Sequence, residues 1–305
     1  MKVEGAKYLR TMLSQEMHRL IEWALEEDRG ECDHTSASSL PPGLEKDGWI
    51  IAKQAGVVAG LEVARAVFSL VDDSVRCDFL KADGDRVEVG EAVCRVTGSA
   101  RSILEGERLA LNFIQRMSGI ATRTSQVMAT LVGTKCQVLD TRKTTPGIRA
   151  FEKWAVVLGG GANHRMGLYD MILIKDNHID FAGSMEQALN RVQSYLEALG
   201  RDLPVVVEVR NAKEAAEAMQ ARNHLTKPSG ATLIDRLLLD NHTPNEVRKM
   251  VAVYGNHIPL EASGGITPEN AREYALAGVD FISMGYLTHS VPSLDFSMKS
   301  SIQGI

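Results

Sequence analysis

Six short apolar runs, each closing on an acid, a lysine or a glycine-bearing corner, restrict the architectures open to this chain more than any other feature. They are CQVLD, MILIK, VVVEV, RLLLD, IPLEAS and DFISMG, with ends at Asp140, Ile174, Glu208, Asp240, Glu261 and Ser283. Runs that are apolar throughout, without alternation, suit parallel strands covered on both faces. Helix-like segments separate them, and the spacing fits strand–helix units, the last two compact. Six such units predict an α/β barrel, complete or not. A doubly wound sheet is the alternative that spacing leaves open.

The first third has a different character. Met17, Leu20, Ile21, Ala24 and Leu25 recur at helical spacing among acids, and DRGECDHTSASSLPPG is rich in turn formers. WIIAKQAGVVAG reads as strands broken by glycine, and LEVARAVFSLV as a helix. CDFLKADGDRVEVGEAVCRVTGSA alternates apolar and polar residues, with Gly84 and Gly90 at turns, so short antiparallel strands are expected. Residues 102–132 are helical in pattern, with SGIAT expected to break them into two helices. This third is an α+β unit of its own. Its DGDRVEVGE turn resembles that of lipoyl and biotinyl carrier domains, but the lysine those domains modify at the hairpin tip is missing.

At 305 residues the chain holds one large domain or two ordinary ones. A net charge of -5 argues against general nucleic-acid binding, which rests on excess Lys and Arg. Cys32, Cys77, Cys94 and Cys136 form no CxxC pair, which fits reduced thiols in a cytosol-like compartment. No apolar run is long enough to span a bilayer, and MKVEGAKYLR is too charged for a signal peptide.

Chemistry concentrates between residues 140 and 178, in DTRKTTPG, GGGANHR and MILIKDNH. Arg142, Lys143, His164, Arg165 and Lys175 lie there among glycines and beside buried-looking runs, whereas Arg149 and Lys153 fall in a helix-like segment where they could face water. An Arg guanidinium grips a carboxylate or phosphate with two hydrogen bonds, and Lys adds a point charge. His164 alone could equally be structural. In α/β barrels loops converge on the carboxyl ends of the strands, where Lys175, Glu208, Asp240 and Glu261 are expected. SGGI and SMGY follow the last two runs, and glycine lets backbone N–H groups approach a phosphate. Arg101, Arg108 and Arg116 lie on the helix before the barrel, and Arg108 and Arg116, eight residues apart on similar faces, read as surface charges. The expected ligand carries several negative charges.

Longer blocks are more specific. ERLALNFIQRMSGIAT, DTRKTTPG, EKWAVVLGGGANHRMGLYDMILIKDNHI, EASGGIT and SMGYLTHSVPSLDFS together resemble the quinolinate phosphoribosyltransferase family, the carboxylating nicotinate-nucleotide pyrophosphorylases, from about residue 21 to 296. NHRMGLYDMILIKDNH is similar to plant-type members. The resemblance implies an α+β sandwich domain over 1–118, completed by about 292–305, and an open-sided α/β barrel over 119–291. It implies that quinolinate and phosphoribosyl pyrophosphate give nicotinate mononucleotide, pyrophosphate and carbon dioxide, with Mg2+. It further implies a cytoplasmic enzyme, or a plastid one where a transit peptide has been removed.

Site roles follow from the same resemblance. Arg142, Arg165 and Lys175, with Thr141 beside them, match positions that bind the two quinolinate carboxylates. Lys143 and His164 match residues around the phosphoribosyl donor and the reacting centre. Glu208 and Asp240 match the acids for ribose hydroxyls and Mg2+. Ser263, Gly264, Gly265 and Gly285 match the phosphate site, with His289 near it. Lys143 or Lys175 is the expected proton donor after decarboxylation. Arg108 matches an arginine that enters the neighbouring site in a homodimer, or in a hexamer built from dimers. One departure is ARNHLTKPSGATLIDR, longer than in compact bacterial members and read as a surface loop. The rival readings are a related phosphoribosyltransferase acting on another aromatic acid, such as nicotinate, and a non-catalytic anion-binding or carrier module.

Overall fold

The computed structural model describes residues 4–301, with side chains from residue 15 onward except that of 16. The extreme ends of the expected first domain, 1–3 and 302–305, lie outside the described residues. So does the start of the segment judged too charged for a signal peptide.

In chain order the elements are α1 (Glu4–Arg29), α2 (His34–Ser39), β1 (Glu45–Ala52), β2 (Gly56–Val57), α3 (Leu61–Val71), β3 (Arg76–Phe79), β4 (Arg86–Val87), β5 (Ala92–Ser99) and α4 (Ala100–Thr130). There follow β6 (Gln137–Leu139), α5 (Arg149–Leu158), β7 (Ile172–Ile174), α6 (Asp176–Ala182), α7 (Met185–Leu199), β8 (Val205–Val209), α8 (Ala212–Arg222), β9 (Arg236–Asp240) and α9 (Pro244–Tyr254). The chain ends with β10 (Leu260–Ser263), α10 (Ala271–Leu276), β11 (Phe281–Ser283), α11 (Tyr286–His289) and β12 (Phe296–Lys299). They group into two compact units, one of Met1–Ser125, Thr144–Gly160 and Leu287–Ile305, the other of Gln126–Lys143 and Gly161–Tyr286.

The first unit is built on a four-stranded sheet in the order β12-β1-β5-β3, with every neighbour antiparallel. β12 joins by pairing Phe296 with Ala52 and Lys299 with Trp49, which brings the C-terminal segment into this sheet. α3 buries Val63, Ala64, Val67 and Phe68. A Cβ on Gly106 would lie 2.8 Å from the Phe68 ring, so only glycine permits α4 to pack this closely. α4 is one continuous 31-residue helix, and the expected break at SGIAT is absent. The small residues there serve close packing. The Ser118 hydroxyl accepts from Ala59 N–H at 2.9 Å, and a Cβ on Gly119 would lie 2.3 Å from the Pro292 carbonyl oxygen. Buried contacts on both sides outweigh glycine's low helix propensity.

Two further expectations are corrected in this unit. Lys153 does not face water, because α5 packs here and buries it completely. Nor is Arg116 a free surface charge. It is half-buried and bonded to Glu152 on α5.

The second unit holds six strands in the order β6-β11-β10-β9-β8-β7, all neighbours parallel. β6 pairs with β11, the last strand of the series, and β7 with β8, while β6 and β7 do not pair. The ladder therefore curls around with one seam, the open-sided barrel expected. The five residues of β8 are all buried, as strands covered on both faces require. Intervening helices begin at side-chain caps: Ser184 on α7, Asn211 on α8, and a Thr243–Glu246 capping box on α9. The insertion after α8 is more ordered than a surface loop. Thr226 bridges Thr232, Leu225, Leu233 and Ile234 are buried, and Lys227 Nζ reaches both oxygens of Asp235 at 2.7 and 2.6 Å. Among the described residues, no helix is long and apolar enough to cross a membrane.

Candidate active site at the barrel strand ends

Asp140 organises the first part of the site. It is fully buried just beyond β6, where its carboxylate accepts the His164 backbone N–H at 2.9 Å and also holds the Asn163 side-chain amide. Ala162 runs parallel beside Leu139, donating to Val138 O at 2.9 Å and accepting from Asp140 N at 3.1 Å. The GGGANHR loop is thereby stitched to β6, which brings His164 and Arg165 to the strand ends.

His164 Nδ1 accepts the Arg165 backbone N–H at 2.8 Å, so the neutral ring carries its proton on Nε2. Nε2 faces Glu261 Oε1 at 3.5 Å. That oxygen meets no donor at hydrogen-bond length, so the contact is electrostatic. The other oxygen, Oε2, takes Arg236 Nη1 at 2.7 Å. Burial pushes the Glu261 carboxyl up, but His164, Arg236 and Ser283 together hold it below the ordinary range. Glu261 is the second residue of β10, which ends at Ser263, so the expected strand-end acid lies one layer down inside the barrel.

Arg165 is buried, and its Nη1 points to the Met171 carbonyl oxygen at 3.5 Å. Burial lowers its pKa, and the like charge of Arg142 lowers it further. The two guanidinium groups therefore share a field. Among the described residues, no carboxylate lies within ion-pair distance of Arg165. Lys175 N-caps α6 and its Nζ reaches Glu208 Oε2 at 3.2 Å. In the ladder, Ile174 pairs with Val207, which sets Lys175 beside Glu208. Burial raises the Glu208 pKa above its ordinary value, Lys175 opposes this, and Asp240 and Asp176 reinforce it. Glu208 and Asp240 thus feel each other from neighbouring strands.

The glycine turns leave adjacent parallel strands at the same end. Asn241, directly after Asp240, takes φ +53, donates Nδ2–H to Asp240 at 2.8 Å, and donates its backbone N–H to Ser263 O at 2.8 Å. Gly264 at φ +93 fits against it, and a Cβ there would fall 2.1 Å from Asn241 Oδ1. Gly264 is thus required twice over, by conformation and by space. Gly265 is also left-handed, at φ +62. Gly285 follows β11, whose Phe281 and Ile282 pair with Glu261 and Ala262.

Thr141, Arg142, Lys143, His164, Arg165, Lys175, Glu208, Asp240, Ser263, Gly264, Gly265 and Gly285 all belong to the second unit, at or just beyond strand ends. Thr141 Oγ1 accepts the Lys143 N–H at 3.0 Å and shapes that turn. Arg108, exposed on α4, and His289, exposed at the end of α11, belong to the first unit. The residues that sequence reasoning passed over are Arg236 and Asn241. Arg236 opens a strand, where a charge reads as a boundary. Asn directly after a strand-end acid was the available signal for a left-handed turn.

No group of three or more metal-ligating side chains occurs among the described residues. Two neighbouring acids do fit Mg2+ bound mainly through a substrate's phosphates, since Mg2+ keeps several waters and takes one or two carboxylates.

Family models described as the N-terminal and C-terminal domains of quinolinate phosphoribosyl transferase match residues 33–118 and 120–299. The chain is 40% identical over 294 residues to the chloroplastic nicotinate-nucleotide pyrophosphorylase [carboxylating] of Arabidopsis thaliana, covering 93% of this chain and 82% of that one. It is 41% identical over 288 residues to the probable nicotinate-nucleotide pyrophosphorylase [carboxylating] of Bacillus subtilis, with 94% of each covered. The structure of the nicotinate-nucleotide pyrophosphorylase from Francisella tularensis superposes with a TM-score of 0.85 at 32% identity, over 93% of this chain and 96% of that one.

Proposed function

Because the chain belongs to the quinolinate phosphoribosyltransferase family, we propose that it transfers the phosphoribosyl group of phosphoribosyl pyrophosphate to quinolinate and decarboxylates the product, in NAD biosynthesis. The observation that supports this reading is the closeness of Arg142 to buried Arg165: burial lowers the Arg165 pKa, the like charge of Arg142 lowers it further, Asp170 opposes this, and among the described residues no carboxylate lies within ion-pair distance of Arg165. A buried guanidinium with a like charge nearby gains from an added anion. A pyridine dicarboxylate supplies two negative charges on a rigid ring, which suits two planar guanidinium forks and Lys175. A monocarboxylate such as nicotinate would leave part of this charge unmatched.

The quinolinate nitrogen attacks the anomeric carbon as the bond to pyrophosphate breaks, passing through an oxocarbenium-like centre. Glu208 and Asp240 hold the ribose hydroxyls, and their charge favours the developing cation. Mg2+ bound with the donor's phosphates supplies charge neutralisation to the leaving group. Lys143 and His164 stand at the reacting centre. N-ribosylation makes the ring nitrogen cationic, and that charge stabilises the electron pair left on the adjacent ring carbon when its carboxylate departs as carbon dioxide. Lys143 or Lys175 returns a proton to the ring carbon. Ser263, Gly264, Gly265 and Gly285 offer backbone and hydroxyl donors to the ribose phosphate, assisted by His289.

The test is turnover of quinolinate with phosphoribosyl pyrophosphate and Mg2+, following nicotinate mononucleotide and carbon dioxide together. Turnover of nicotinate without carbon dioxide release would refute the substrate assignment and favour the related phosphoribosyltransferase.

The same reading gives Arg108 to the neighbouring subunit's site, in a homodimer or a trimer of dimers. Mixing an Arg108→Ala chain with a Lys143→Ala chain is expected to restore about a quarter of the wild-type activity to the mixture, since random assortment makes about half of the dimers hybrid and each hybrid has one intact site in two. Hybrids verified by mass and yet inactive would mean that each chain completes its own site. The cytoplasm is the expected compartment, or a plastid when a transit peptide is removed, as the chloroplastic relatives suggest.

A further inference from the structure

We infer that Glu152 and Arg116 are positioning residues for the proposed reaction, and that their buried ion pair fixes the turn following Lys143 to the segment bearing His289. The inference rests on the reaction proposed above.

Glu152 on α5 is fully buried, and both its oxygens are engaged. Oε2 accepts the Thr145 backbone N–H at 3.0 Å, and Oε1 accepts the Thr145 hydroxyl at 2.8 Å. Arg116 on α4 donates Nε and Nη2 to the same Oε1, at 2.9 and 2.6 Å. Its remaining donors reach carbonyl oxygens on either side of His289, Thr288 O at 2.6 Å and Val291 O at 2.9 Å. Thr144 is held separately, its hydroxyl accepting from Arg149 Nε at 3.0 Å.

A buried ion pair stabilises a fold little, since desolvation offsets most of the attraction. What it supplies is geometry, because a guanidinium and a carboxylate with every donor and acceptor engaged have few alternative arrangements. Thr145 is held by side chains in place of a backbone ladder, and it lies two residues from Lys143 and three from Arg142. Thr288 directly precedes His289. A single side-chain cross-link therefore restrains the turn after Lys143 and the end of α11, the two segments that carry three of the proposed ligand-binding residues. Small displacements of such groups reduce rate out of proportion to stability.

Three variants test this in the full-length protein. Thr145→Val removes only the hydroxyl. It is expected to lower kcat/KM about tenfold while the melting temperature moves by only a few degrees, and Thr145→Ser is expected to recover most of the loss. Arg116→Lys is expected to accelerate amide hydrogen exchange in the 143–147 and 287–292 segments together, measured on the free protein. Thr145→Val with wild-type kcat/KM would overturn the inference, and so would Arg116→Lys loosening one segment without the other. A wild-type chain with no turnover would refute the proposed reaction instead, and the exchange result would then decide whether the cross-link exists.

Discussion

Replacing Arg165 by Ala is expected to raise the KM for quinolinate by about a hundredfold and that for phosphoribosyl pyrophosphate by less than about threefold. Truncating one partner of a buried, hydrogen-bonded charge pair typically costs about 2–5 kcal/mol, and about 3 kcal/mol corresponds to the hundredfold. The asymmetry between the ligands is the informative part. Arg165 shares its field with Arg142, while the acids assigned to the sugar lie on β8 and β9. The free variant should be at least as stable as the parent, because Arg165 is desolvated and repelled by Arg142 when no ligand is bound. Steady-state kinetics with each substrate varied in turn measures the two constants, and equal losses for both ligands would contradict the role assigned to Arg165.

Glu261→Ala should have the largest effect on stability, lowering the free energy of unfolding by about 3–5 kcal/mol. The cost arises because Arg236, mostly buried and stacked 4.3 Å above the Phe281 ring, loses its carboxylate inside the barrel. The pH dependence follows from the direction of the Glu261 shift. Its folded pKa lies below the ordinary carboxylate value, so its contribution is present above the unfolded pKa and disappears as pH falls through the folded one. The parent should therefore lose stability more steeply in acid than the variant. Urea unfolding at neutral pH and again in the acid range measures both effects. A neutral-pH loss under about 1 kcal/mol would show that Arg236 finds solvent or another partner.

The sequence revealed the barrel because its strands need a continuous apolar character that few other structures tolerate. MILIK and VVVEV contain β7 and β8, and the polar residue of each, Lys175 and Glu208, falls at or near the strand end. The spacing also carried the register, since residues at equivalent strand ends are brought together by parallel pairing. What remained illegible was decided by tertiary packing. Gly119 looks like a helix breaker until the backbone at Pro292 is seen to occupy its missing side chain. Lys153 looks solvated because a fully buried lysine is rare enough that a sequence offers no reason to expect one. Arg116 looks like surface charge because its carboxylate partner lies 36 residues on in the chain. The cross-link it makes depends on which helix comes to rest against which, and no local pattern records that.

The seam between β6 and β7 has a consequence for how the protein avoids aggregating. An unclosed barrel leaves edge strands whose free N–H and C=O groups invite foreign chains to pair. On the β6 side that edge is occupied from within, because Ala162 exchanges hydrogen bonds with Val138 and Asp140. The loop that plugs the edge is the one that brings His164 and Arg165 to the strand ends. Cover for this edge and the placement of His164 and Arg165 thus depend on the same two backbone hydrogen bonds, and a substitution that frees this loop is expected to weaken the proposed ligand binding and expose an adhesive edge in a single event.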